Sequence, residues 1–168
     1  MTDANPEPVT LPEGRFEGRQ AFISLVRQAL LTAAHEGWPS LVLSDADFTD
    51  WPLGERAVVE AFNAWAGRGR HLRLLAQDFA PMRQLHPRFV QWRVTWAHLV
   101  DAHALATASA GDVPSAIWAP GWTLERLDPL RCVGVTTTDG ARRLALRERL
   151  DSAWLKGSPS FAATTLGL

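Results

Sequence analysis

The chain has 168 residues, a net charge of -1, 46% hydrophobic and 21% charged residues. That is one ordinary globular domain, and folding could bury roughly 70% of the surface of a chain this long. The charge excludes global steering toward nucleic acid or an anionic membrane, so nucleic acid is not expected as a partner and only a local patch would act. The single cysteine, Cys132, excludes an internal disulfide. Its apolar run Cys132-Val133-Gly134-Val135 reads as core. No stretch reaches the ~20 apolar residues of a membrane span, and the acidic, Pro-rich start is no signal peptide. The cytoplasm is the expected location.

Residues 1–14 carry little to pack and are expected to be disordered. Gly18 to Glu36 predicts a helix, with Phe22, Val26 and Leu30 on one face and Gly37 as its stop. Ser40-Leu41-Val42-Leu43 predicts a buried strand, followed by the acidic loop Asp45 to Pro52. Leu53 to Arg68 predicts a second helix, with Val58, Phe62 and Trp65 on its apolar face and Pro52 at its first turn. His71 to Ala76 is a second strand. Short helices over Phe79–Leu85 and Arg88–His98 follow, separated at Pro87. Val100–Thr107 is a third strand. Ser115–Ala119 and Trp122–Leu127 read as a hairpin turning at Pro120-Gly121. Cys132–Thr136 is a last strand, and Asp139 caps a final helix from Gly140 to about Leu155. The expected organisation is a disordered segment 1–14, an α/β domain over 15–156 and an extended tail over 157–168. Its mixed sheet opens on a parallel strand–helix–strand unit, has flanking helices and adds later antiparallel strands.

Several residue groups carry candidate chemistry. Asp45, Asp47 and Asp50 follow a strand read as parallel, where paired carboxylates bind Mg²⁺ through oxygen ligands or act as acid and base. The alternative is loop and capping duty. Arg83, His86, Arg88, Arg93 and His98 interleave with Phe89, Trp92 and Trp96. Arginine forks suit phosphate or carboxylate, while the aromatics at helical spacing equally read as a core stripe. Asp45, Asp47, His86, Arg88 and Arg93 are the candidate ligand-binding set. Trp118 and Trp122 flank a tight turn and are candidate interface residues, either exposed or covering the sheet edge. The five histidines show no zinc spacing. No nucleotide-binding glycine motif or nucleophile elbow occurs. No cofactor and no metal are expected.

The order of elements is similar to one half of a phospholipase D-type domain. More specifically, the chain resembles a family of uncharacterised proteobacterial domains with a degenerate phospholipase D-like fold. The stretches Ser44-Asp45-Ala46-Asp47-Phe48 through Trp51-Pro52-Leu53-Gly54-Glu55-Arg56, His86-Pro87-Arg88-Phe89 through Trp92, and Ile117-Trp118-Ala119-Pro120-Gly121-Trp122 carry it. The active enzymes need a His-x-Lys motif. The sole lysine is Lys156, preceded two positions earlier by Trp154, and the corresponding strand, Ser115-Ala116-Ile117-Trp118, holds neither residue. The resemblance therefore implies a non-catalytic binding or accessory domain, with an acetyltransferase-like enzyme as a protein partner. Phospholipase D-type phosphodiesterase activity is expected to be absent. Active single-half members pair; here a homodimer would rest on packing, with the Trp118–Trp122 turn as its candidate interface. The alternative is an enzyme or small-anion-binding protein using Asp45, Asp47 and an Arg88/Arg93 cluster.

Overall fold

The computed structural model describes residues 10–163. They form an α/β fold around one mixed sheet of eight strands in the order β1-β7-β6-β5-β2-β3-β4-β8. The elements follow one another as β1 (Gly14–Glu17), α1 (Arg19–Glu36), β2 (Ser40–Ser44), α2 (Arg56–Trp65) and β3 (His71–Ala76). Next come α3 (Ala80–Leu85), α4 (Pro87–Thr95), a 3-10 turn at Ala97–Leu99 and β4 (Val100–Ala104). The chain then runs through β5 (Ser115–Trp118), β6 (Thr123–Asp128), β7 (Val133–Thr137), α5 (Gly140–Lys156) and β8 (Ser158–Pro159). No helix among the described residues is long and apolar enough to cross a membrane.

Side chains alternate across the strands, so each apolar run serves two layers. Leu41, Leu43, Leu72, Leu74, Ile117 and Leu124 face one way and join the buried stripes of α1, α2, α3 and α4 in the main core. Val42, Leu75 and Ala116 face the other way and pack under Leu146, Leu150 and Ala153 of α5. The expected parallel opening is present: β2 pairs parallel with β3, and β3 parallel with β4. β5 then joins β2 antiparallel, and β6 and β7 extend that side antiparallel.

Four local expectations need correction. Residues 1–9 of the segment expected to be disordered lie outside the described residues, but Leu11 is buried and Gly14 opens β1 against β7. That strand is four residues long and buries only Phe16, which leaves almost no periodic signal. α2 begins at Arg56, not Leu53. Trp51 and Leu53 are buried from a turn, so their apolar character serves the core without helical geometry. Pro87 starts α4, and His86 before it sits at φ -125, ψ 59, outside the helical region that a following proline disfavours. In the tail, β8 pairs with the end of β4 and Phe161 is buried against Phe79 and Phe89; residues 164–168 lie outside the described residues.

Candidate functional site

The polar centre of the fold sits where β2 ends. Asp45 is buried there, and its Oδ2 accepts the backbone N–H groups of Asp47 at 3.3 Å and Phe48 at 2.9 Å. This closes a tight loop that carries Phe48 to φ 59. The other oxygen, Oδ1, accepts from Arg126 Nη2 at 2.9 Å. Arg126 also donates from Nη1 and Nη2 to Asp50 at 2.5 and 3.1 Å, and from Nε to Ser115 Oγ at 2.8 Å. A last contact from Nη1 reaches Cys132 Sγ at 3.5 Å. The five N–H groups of the guanidinium are thereby matched by five acceptor contacts, and its Cζ lies over the Phe22 ring, 4.0 Å from the ring centre.

The side-chain exposures are 2% for Arg126, 5% for Asp45 and 27% for Asp50. Burial alone would lower the Arg126 pKa. The hydrogen bond to Asp50 and the charges of Asp45 and Asp50 outweigh it and raise the pKa above the ordinary arginine range, so the cation persists. The cluster is a closed ion triad. Arg126 was absent from the candidate set, although its strand carries the signal. Leu124 is buried in β6, and period-two alternation turns Arg126 to the same inward face.

The candidate ligand-binding residues do not converge. Asp47 caps Thr49 through Oδ1 at 3.0 Å. His86 is buried and donates from Nε2 to the Phe48 carbonyl at 2.8 Å, tying α4 to the acidic loop. Arg93 is buried at the end of α4, where Nη1 donates to the Ala97 carbonyl at 3.3 Å and Nε has no partner. Desolvation pulls its pKa below the arginine range. Arg88 alone stays exposed. It donates to the Gly54 carbonyl at 3.1 Å and lines a groove of about 470 Å³ between α2 and α4. Among the described residues no three of His, Cys, Asp and Glu gather in a way that could hold a metal ion.

Of the two arrangements open to the tryptophan turn, the structure has the covered one. Trp122 is buried, and its indole N–H donates to the Pro12 carbonyl at 3.2 Å. Trp118 is half-buried, donates to the Arg143 carbonyl at 3.0 Å, and carries the Arg147 guanidinium 4.5 Å above its ring. The two indoles are therefore tied to the segment before β1 and to α5 rather than forming an exposed patch.

No protein-family profile and no curated protein matches the chain. A solved structure shares the fold. It is that of TrmBL2, described as an archaeal chromatin protein with a novel mode of DNA binding. The TM-score is 0.65 at 12% sequence identity, over 95% of this chain and 57% of TrmBL2. The chain thus spans little more than half the length of that neighbour, and the likeness shows the fold alone. It overturns one expectation. A protein of this fold is described by its DNA binding, so nucleic acid cannot be set aside as a partner on net charge.

Proposed function

We propose that the chain is a phospholipase D-like half-domain without the family's chemistry, serving as a non-catalytic binding or accessory domain. The observation that carries this reading is the closed triad of Arg126, Asp45 and Asp50. The carboxylates best placed at the carboxyl ends of the parallel strands already neutralise an internal cation. A general base needs a free lone pair directed at substrate, and both oxygens of Asp45 are spoken for. Ser115, on the strand aligned with the missing His-x-Lys motif, accepts from Arg126 and is buried. An acetyltransferase-like partner belongs to the same reading. Purified protein should give no turnover of bis(p-nitrophenyl) phosphate above background. Turnover that disappears on a single substitution, such as Asp45→Asn, sinks the reading.

A second reading is favoured by the fold shared with TrmBL2 and by α5. This helix carries Arg142, Arg143, Arg147, Arg149 and Lys156 against only Glu148 and Asp151. Phosphate contacts of that kind are sequence-independent and salt-sensitive. On this reading, a labelled DNA duplex binds at low salt, releases steeply as salt rises, and binds more weakly to Arg142→Gln. No anisotropy change at low salt removes it.

A further inference from the structure

We infer that the outer edge of β1 is an interface for a second copy of this chain, joined antiparallel about a two-fold axis so that Arg15 of each copy faces Glu17 of the other. The surface is independent of the binding role proposed above. β1 is the outermost strand of the sheet, and among the described residues nothing pairs with its far side. The pairing with β7 decides which backbone groups stand free there. Gly14 faces Thr136, Phe16 faces Gly134, and in the same register the Gly18 N–H donates to the Cys132 carbonyl at 3.0 Å. In an antiparallel pair, residues bonded to the partner alternate with residues whose N–H and C=O point away from it. Gly14, Phe16 and Gly18 are therefore the residues bonded to β7. Arg15 and Glu17 turn their N–H and C=O groups outward, where another strand can pair with them.

The side chains select that strand. Arg15 and Glu17 share one face of β1, both are 70% exposed, and Nη2 and Oε2 lie 3.5 Å apart. An ion pair this exposed holds its partners weakly. A two-fold axis that lets the outward groups pair can cross the strand at Arg15, Phe16 or Glu17. At Arg15 it sets Arg15 against Arg15 and Glu17 against Glu13. At Glu17 it sets Glu17 against Glu17 and Arg15 against Arg19. Like charges directly opposite are destabilising. At Phe16 it sets Arg15 against Glu17 on both sides of the axis, and both outward residues exchange N–H···O=C bonds with the second copy. Charges on an edge strand ordinarily keep sheets apart; here the alternation of sign leaves one register open. That register also places Gly14 against Gly18, and a Cβ at either position would meet nothing within 4 Å. A groove of about 340 Å³ runs along the helix-facing side of β1, bordered by the small side chains Ala21 and Ser24 of α1, so a second backbone can approach. On the other face α5 packs over Val42, Leu75 and Ala116 and leaves the charged side of β1 open.

The test is sedimentation equilibrium of the full chain at about 200 µM, a concentration that populates weak interfaces of small area. The unaltered chain should approach twice 18.5 kDa. Arg15→Glu sets a carboxylate against Glu17, and Glu17→Arg sets a guanidinium against Arg15, each on both sides of the axis. Each variant alone should associate at least about tenfold more weakly. Both positions are exposed, and an unchanged circular dichroism spectrum checks the fold. Mixed together, the two variants should associate with each other, because every facing pair again has opposite signs. The double exchange, Arg15→Glu with Glu17→Arg, should restore the original mass. A mass of one chain for the unaltered protein overturns the second copy as occupant, whatever other strand takes the edge. A dimer that neither single variant weakens overturns the interface, and so does a mixture of the two variants that stays monomeric.

Discussion

Trp65 shows how one side chain links two layers of the fold. It is 2% exposed on the inner face of α2, and its indole N–H donates to the Trp38 carbonyl at 2.7 Å. The same residue therefore fills the core and fixes the turn between α1 and β2. Trp65→Ala removes both and should cost roughly 3–5 kcal/mol. A fall in the urea midpoint checks it; an unchanged midpoint means that this face of α2 is not packed. Trp65 was legible because Val58 and Phe62 share its helical face. Arg126 was not, because a charged residue in a short strand reads as solvated unless its partners are known. Those partners lie 81 and 76 residues away in the chain. No local spacing brings Asp45, Asp50 and Arg126 together; only the β2–β5–β6 pairing does.

At the scale of elements, legibility followed periodicity and punctuation. α1 ends at Gly37, whose φ of 68 is the left-handed conformation that glycine adopts without penalty. β3 spans the expected His71–Ala76, and the β5–β6 hairpin turns at Pro120-Gly121. Elements held by few side chains were missed. β8 has two residues, and its place is set by pairing with His103 and Ala104 rather than by its own composition. α5 is legible at both levels. Asp139 accepts the Arg142 N–H at 3.0 Å, as an N-cap should, and Leu146 and Leu150 face the sheet. Asp139→Ala should cost about 1 kcal/mol. Because α5 is the helix that packs against the second face of the sheet, the loss should appear in the global melting transition. A lost helical signal with the transition unmoved would show that α5 unfolds separately.

At the scale of the molecule, the parallel opening and the antiparallel continuation place β2 between a parallel neighbour and an antiparallel one. That junction is where ligands commonly sit in open α/β sheets. Here it is filled from within. The Arg126 guanidinium enters from β6 and takes two of the three carboxylates of the loop after β2, Asp45 and Asp50, so the most site-like position in the topology serves as part of the core. A double-mutant cycle in urea on Arg126→Met and Asp45→Asn tests this internal neutralisation most directly. Arg126→Met alone should cost about 3–5 kcal/mol, because it strands buried carboxylate charge. The double variant should recover a substantial part of that loss, giving a coupling energy of at least about 1 kcal/mol, within the range for groups in contact. Two small, additive effects would contradict the account, since they would mean that Asp45 carries its charge free of Arg126 and is open to chemistry.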